Sequence, residues 1–293
     1  MTWDGLVLIN KPAGDTSHTI VQRVKERLRA EKAGHLGTLD PLATGVFPVC
    51  LGRATRLSPF YMGADKSYLA EIRFGCFTNT DDREGKQEGP FSKPRFSSAQ
   101  LEEAVSSFQG EFDQKPPIFS AKKIQGKKAY DLARQGIRPD LPLQKVTIYE
   151  IRVMHFEKDI AVIYIHCGSG TYVRSIAREL GTRLGCGAHV NELARTKFNN
   201  ITLEDCSSPD APLEKIKKSF IPLAGMLGDF PEFTVDLAQE KRILNGSGIA
   251  VDEKYERDWV KIFDSHKNLL ALARVVAGDK TELQPRIVLK GID

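Results

Sequence analysis

Two apolar runs, Val146 to Phe156 and Ile160 to Cys167, flank the short polar turn Glu157-Lys158-Asp159 and read as neighbouring strands. A third run alternates strictly, with Tyr68, Ala70, Ile72 and Phe74 on one side and Leu69, Glu71 and Arg73 on the other. Leu6 to Ile9 and Val46 to Leu51 add two more strands, and Gly/Pro-punctuated residues 33 to 45 read as the loop before the second. Helical patterns lie among them. One is capped by Thr16 or Ser17 and carries Ile20, Val21, Val24 and Leu28. Another is opened by a Ser97/Gln100 capping box before Leu101, Ala104, Val105 and Phe108, and closed by Gly110. A third follows Gly168-Ser169-Gly170-Thr171, with Val173, Ile176, Ala177, Leu180 and Leu184 on its buried side. This mixture lacks the regular βαβ alternation of a doubly wound sheet. It predicts an α+β fold: a mixed, largely antiparallel sheet flanked by helices.

At 293 residues the chain has room for about two domains. The Pro- and Gly-containing stretch from Ile221 to Pro231 places the expected boundary, giving residues 1–231 as the main body and 232–293 as a small, mostly β unit. No stretch approaches the roughly 18 apolar residues of a membrane span, and Met1 to Gly5 lacks the basic-then-apolar build of a signal peptide. Five widely spaced cysteines form no C-x-x-C pair, and Cys186 with His189 has no second pair to complete a zinc site. The expectation is a cytoplasmic protein without membrane contact.

The net charge of +4 is too small to name a partner, but its distribution is uneven. Residues 232–293 hold 10 basic and 11 acidic side chains. Lys115 to Arg138 holds seven basic residues against the single Asp131, with Phe119 and Tyr130 interleaved. Such a stretch suits a phosphate backbone and unstacked bases, or else a solvated surface.

Several chemistries have no carrier here. The chain contains no G-x-x-x-x-G-K-[ST], no H-E-x-x-H and no G-x-S-x-G, and Val173 stands where a dinucleotide fingerprint needs its third glycine. Neither a metal nor a nucleotide cofactor is expected. What remains is Gly34-His35-Leu36-Gly37-Thr38-Leu39-Asp40-Pro41-Leu42-Ala43-Thr44-Gly45, which packs three glycines, one imidazole and one carboxylate into twelve residues. Pro41 biases Asp40 towards an extended or turn geometry. On these residues alone the segment is either an Asx-type turn or a loop that presents Asp40 for chemistry.

This loop resembles the signature G-H-x-G-x-L-D-P-x-A-x-G of TruB-type tRNA pseudouridine-55 synthases, matching every fixed position. Gly5 to Gly14 (GLVLINKPAG), Lys66-Ser67-Tyr68 and Gly170-Thr171-Tyr172-Val173-Arg174 resemble three further blocks of that family, in the same order. The likeness continues through Phe108-Gln109-Gly110, Ser120-Ala121-Lys122-Lys123 and Gly126 to Tyr130. It implies conversion of the position-55 uridine in the T-loop of tRNA to pseudouridine: the C1′–N1 bond breaks, the uracil turns, and C5 joins C1′. Nothing is oxidised and no group is imported, in keeping with the absent cofactor motifs.

By the same resemblance residues 1–231 form the catalytic domain and Asp40 is its catalytic carboxylate, attacking the base or sugar or taking a ribose proton. Arg174 is its charge partner, and Tyr68 stacks on the uracil. His35 fills the space the flipped base leaves, and Tyr172 and Leu193 line the uridine pocket. A basic insertion at about residues 111–142, with Lys122, Lys123, Lys127 and Lys128, closes over the RNA arm. Lys11 and Lys66 are candidate phosphate contacts, with structural roles as the alternative. The chain departs from the family at Ala194 in Leu193-Ala194-Arg195-Thr196, where a second arginine is common, and at Asn199, where glycine is usual. Residues 232–293 resemble a short PUA-like module, chiefly through Leu244-Asn245-Gly246. The implied enzyme is a monomer acting on the T-arm without a protein or guide-RNA partner. Two other classes compete with it: an RNA-folding protein whose chemistry is secondary, and a guide-dependent relative.

Overall fold

A computed structural model of the chain describes residues 3–289 except 121, 125–126, 130–131, 133–134, 136, 138–139 and 279. Parts of the basic insertion, including Tyr130, Asp131, Arg134 and Arg138, therefore lie outside the described residues.

In chain order the main sheet draws on β1 (Gly5–Lys11), β2 (Ala33–His35), β3 (Thr44–Leu51), β4 (Lys66–Phe74), β7 (Gly110–Gln114), β10 (Gln144–Glu157), β11 (Ile160–Cys167), β12 (Ala188–Phe198), β13 (Ile201–Thr202) and β14 (Phe220–Pro222). The strands run in the order β14-β1-β3-β12-β4-β11-β10-β7, with β2 beside β3 and β13 beside β12. Every pairing is antiparallel except β3 with β12. Two short ribbons complete the body: β5 (Phe77–Thr78) with β6 (Gln87–Glu88), and β8 (Lys123–Ile124) with β9 (Lys127–Lys128).

The expected α+β fold and its largely antiparallel sheet are what the chain adopts. β10 and β11 form the predicted hairpin, with Lys158 in the turn at φ 58°. Tyr68, Ala70, Ile72 and Phe74 are all buried, while Leu69 and Arg73 face solvent. Helices α1 (Ser17–Arg27), α2 (Ser98–Ser106) and α3 (Val173–Arg183) cover that buried face, through Ile20, Val24, Leu101, Val105, Ile176 and Leu180. Thr16, not Ser17, caps α1 by accepting from Thr19 N. The Ser97/Gln100 box caps α2, which ends at Ser106; Gly110, at φ 99°, opens β7 instead. Residues 33 to 35 are strand rather than loop, because Ala33, Gly34 and His35 pair with Leu51, Cys50 and Val49.

β1 and β3 are apolar at nearly every position because both their faces are buried. Val7, Ile9, Phe47 and Val49 face the helices; Leu6, Leu8, Val46 and Cys50 face a second core. That second core is closed by the C-terminal residues Phe263, Leu269, Leu272 and Leu289. The first three belong to, and Leu289 directly follows, a five-stranded sheet of β15 (Glu232–Thr234), β16 (Ile249–Val251), β17 (Trp259–Phe263), β18 (Leu269–Val276) and β19 (Thr281–Val288), in the order β15-β17-β18-β19-β16. Between α3 and this sheet lies the short α4 (Leu213–Lys218), and within the C-terminal unit α5 (Leu237–Leu244) starts at an Asp236/Gln239 capping box. Arg53 ties the two parts by donating to Leu289 O at 2.9 Å, and Arg56 donates to Val288 O.

The parallel contact of β3 with β12 is made by two residue pairs, Ala194 with Thr44 and Arg195 with Gly45. Gly45 sits there at φ 106°, and a Cβ on it would lie 2.2 Å from the Arg195 carbonyl oxygen. Gly45→Ala is therefore expected to destabilise the chain by more than about 2 kcal/mol, adding a backbone clash to left-handed strain. Gly246, at φ 79° with open space around it, supplies the control. Gly246→Ala should cost only about 1 kcal/mol. Urea unfolding of the two variants checks the difference.

Candidate active site

The loop from Leu36 to Ala43 is fixed from beneath. Leu36, Leu39, Leu42 and Ala43 are buried, which leaves Asp40 half-exposed between them. The Ser17 hydroxyl donates to Leu39 O at 2.7 Å and accepts from Leu39 N at 2.9 Å. The Asp40 backbone carbonyl, not its carboxylate, closes the turn by accepting from Ala43 N at 3.0 Å. The side chain is thus free of the Asx-type role and points to Arg174.

Arg174 stands in the first turn of α3, 5% exposed. A cation there opposes the helix dipole, so carboxylates must offset it. Its Nε lies 2.9 Å from Asp40 Oδ2, and its Nη2 donates to Asp40 Oδ1 at 3.1 Å. Nη1 lies 3.5 Å from Asp82 Oδ2 and donates to Thr80 O at 3.0 Å, while Nη2 also donates to Phe119 O at 3.0 Å. Asp82 is itself held, its Oδ1 accepting from the Thr80 hydroxyl at 2.6 Å and from Glu84 N at 3.0 Å. Next to it Asp81, at φ 63°, meets Arg178 Nη1 at 2.6 Å.

These groups surround a cleft of about 450 Å³, a size that suits a nucleoside. Asp40, Tyr68, Tyr172, Arg174 and Leu193 all line it, so the structure brings together five of the residues singled out in the sequence. Burial raises the Tyr68 phenol above its ordinary pKa, which disfavours its anion and leaves the ring as a stacking surface. Burial raises Tyr172 as well. Backbone N and O of Tyr172 are matched by the Gln114 side chain, which accepts from N at 2.8 Å and donates to O at 3.1 Å.

The remaining candidates lie elsewhere. His35 does not line the cleft: its ring packs 5.5 Å from Phe47, and its Nδ1 is buried without a partner. Burial lowers its pKa, with help from Arg195 and His18, and so favours neutral imidazole. Lys11 is fully buried, and its Nζ donates to Pro12 O (2.9 Å), Pro41 O (3.1 Å) and Ala43 O (2.7 Å). Two of its donors go to the Asp40 loop and the third to Pro12 O in the turn after β1, the arrangement of the structural alternative. Lys66 donates to Ala64 O and sits 5.3 Å from the Phe198 ring centroid. Lys122 donates to Gln144 Oε1 at 3.2 Å; Lys123, Lys127 and Lys128 lie on the β8–β9 ribbon. Among the described residues no group of three or more His, Cys, Asp or Glu side chains is placed to hold a metal ion.

Sequence reasoning missed Arg195, Gln114 and the Asp81–Asp82 turn. Arg195 is fully buried beneath the loop, donating from Nε to Val46 O at 2.7 Å and from Nη2 to Gly37 O at 3.2 Å. Its place two residues after Leu193 on β12 put it on the same inward face, which was the available signal. Asn199 adopts φ 52°, which accounts for the usual glycine and for asparagine as its substitute.

Two predictions follow from this geometry. Lys11→Met should destabilise the chain by ~2–4 kcal/mol, by stripping donors from buried carbonyls. It should leave the salt dependence of RNA binding unchanged, whereas loss of a phosphate contact would flatten that slope. Burial pushes the Asp81 carboxyl up to about 6 from its ordinary 3.8, against the pull of Arg178 and Arg174. Between those values the folded chain holds more protons than the unfolded one, so stability falls as pH rises through this window. Asp81→Asn should remove that fall, and urea unfolding at pH 4.5 and pH 7 measures it.

Comparison with known proteins shows the family of the chain. The family model described as TruB family pseudouridylate synthase (N terminal domain) matches residues 25–173. The chain is similar to tRNA pseudouridine synthase B of Solibacter usitatus (strain Ellin6076), with 38% identity over 93% of this chain and 96% of the relative. It is likewise similar to tRNA pseudouridine synthase B of Clostridium kluyveri, with 39% identity over 88% of this chain and 89% of the relative. Among solved structures, a chain of a Cbf5-Nop10-Gar1 complex superposes with a TM-score of 0.72 at 25% identity, covering 98% of this chain and 85% of that one. This likeness extends into the C-terminal five-stranded sheet, consistent with a PUA-like unit. The chain belongs to the TruB family of pseudouridylate synthases.

Proposed function

We propose that this pseudouridine synthase isomerises the uridine at position 55 of the tRNA T-loop, with Asp40 as its catalytic carboxylate. The observation that carries this reading is the Asp40–Arg174 pair at the wall of a nucleoside-sized cleft. The guanidinium meets both oxygens of the carboxylate and so fixes its orientation at the cleft wall, where each route from uridine to pseudouridine needs it. The loop carrying Asp40 is braced by Lys11, Ser17 and Arg195, so the carboxylate meets the substrate already in position. The target base leaves the T-loop stack to enter the cleft and packs against the Tyr68 ring, beside Tyr172 and Leu193. The uracil then loses its bond to C1′ at N1, turns, and bonds to C1′ through C5; the C5 proton leaves and N1 gains one.

Residues 1–231 serve as the catalytic domain in this reading, and the 111–142 insertion grips the RNA arm through its lysines. The protein acts as a cytoplasmic monomer, on bare tRNA, without a guide RNA or protein partner. His35 acts from beside Phe47 rather than from the cleft wall, and fills the stack behind the flipped base.

Asp40→Asn should abolish pseudouridine formation in a T-arm stem–loop, read by mapping the modified position after incubation with purified protein alone. Conversion at the wild-type rate would remove Asp40 from this role. Charge reversal at Lys122, Lys123, Lys127 and Lys128 should weaken RNA binding at least tenfold and reduce its salt dependence, as fewer counterions are released. The competing reading, a protein that folds RNA, predicts unaltered tRNA refolding by Asp40→Asn.

A further inference from the structure

Helix α3 begins without a cap of its own. Helices α1, α2 and α5 are each capped by the side chain that precedes them, Thr16, Ser97 and Asp236. The corresponding residue of α3 is Tyr172, whose side chain makes no capping bond. The start of this helix is fixed instead from the end of β7. Gln114, 4% exposed, accepts from Tyr172 N at 2.8 Å and donates to Tyr172 O at 3.1 Å. One residue on, Lys115 O accepts from the Ser175 hydroxyl at 2.7 Å and from Arg178 Nη2 at 2.9 Å. Further along, Phe119 O accepts from Arg174 Nη2. Gln144, the partner of Gln114 on β10, packs against the approach to α3: a Cβ on Gly170 would lie 2.2 Å from Gln144 Nε2.

Gln114 and Gln144 are also the neck of the 111–142 insertion, since the chain leaves the main sheet at the first and re-enters it at the second. Lys122, inside the insertion, donates to Gln144 Oε1 at 3.2 Å. The segment that grips RNA in the reading above and the turn that carries Arg174 are therefore joined by one set of hydrogen bonds. Arg174 in turn meets both oxygens of Asp40. Gln114 itself does not line the cleft, so its bonds to Tyr172 act on the site from behind. A helix end with no cap holds its place only through outside partners. A displacement of about 1 Å in a catalytic group is enough to slow a reaction severely.

We propose that Gln114 is a positioning residue, which couples the insertion's hold on RNA to the orientation of Arg174 and, through it, of Asp40. The inference rests on the RNA grip and the isomerisation proposed above. Contacts far from the reacting base then raise the rate of the step rather than the affinity alone. The test uses Gln114→Met, which fills the same space without hydrogen bonds, and Gln114→Glu, which keeps the acceptor for Tyr172 N and, when ionised, has no donor for Tyr172 O. Gln114→Met is also combined with charge reversal at Lys122, Lys123, Lys127 and Lys128. Two quantities are measured on a T-arm stem–loop: Kd, and the single-turnover rate constant of pseudouridine formation. The rate is taken with enzyme in saturating excess, so that it does not depend on the fraction of protein folded. Gln114→Met should lower the rate constant by about tenfold or more, tenfold being the size of one neutral hydrogen bond. Its Kd should stay within about threefold of wild type, and the rate of Gln114→Glu should fall between the two. The lysine variant should lose rate as well as affinity, and adding Gln114→Met to it should lower the rate by less than about threefold, because the two changes break one connection. A wild-type rate constant for Gln114→Met overturns the proposal. So does a Kd that rises as far as the rate falls, or a combined variant in which the two losses of rate multiply in full. Unaltered RNA binding by the lysine variant would instead overturn the grip, and failure of the wild type to form pseudouridine would overturn the isomerisation itself.

Discussion

A buried guanidinium organises this site. Arg174 is removed from water at the positive end of a helix, where a lone cation is unfavourable twice over, by desolvation and by the dipole. Its charge is met by Asp40 from one loop and Asp82 from another, and its remaining donors reach Thr80 O and Phe119 O. Three otherwise separate segments are thereby fixed around one planar group. Asp40 receives a partner on one edge only, so the carboxylate stays half-open to the cleft. The need to pair a buried charge and the need to present an anion are satisfied by the same contact.

The sheet explains how the loop carrying Asp40 is held. Asp40 precedes β3, while Leu193 and Arg195 lie on β12, and these two strands pair in parallel, unlike the other strand pairs described in the main sheet. Only two residue pairs make it, and Gly45 leaves no room for a side chain there. Next to it Arg195 fills the space beneath the loop and braces Gly37, while Lys11 braces Pro41 and Ala43. The loop is accordingly as well anchored as a strand, although its sequence is that of a turn.

Patterns with one partner were legible in the sequence; contacts with several were not. Alternation in β4 identified its inward face, and the apolar runs identified the β10–β11 hairpin. Asp40, Tyr68, Tyr172, Arg174 and Leu193 could be named together only through a family resemblance, since a buried arginine and an exposed one look the same in a string. Lys11 shows the limit in the other direction. A lysine near a glycine-rich turn suggests phosphate, and nothing local reveals that three carbonyls from two loops surround it. Gln114 and Asp82 were missed for the same reason, because their partners lie 58 and 92 positions away, at Tyr172 and Arg174. Helix α5 was overlooked although its Asp236/Gln239 capping box is local, because the β runs around it dominated the composition.

The second core joins Leu6, Leu8, Val46 and Cys50 to Phe263, Leu269, Leu272 and Leu289. The strands leading into and out of the Asp40 region are thus the strands on which the C-terminal sheet is mounted. Such a mounting makes the C-terminal unit a ruler rather than a tether. Whatever part of a long substrate it touches would be held at a set distance from the reacting base, so that reach along the substrate is specified by the same packing that supports the catalytic loop.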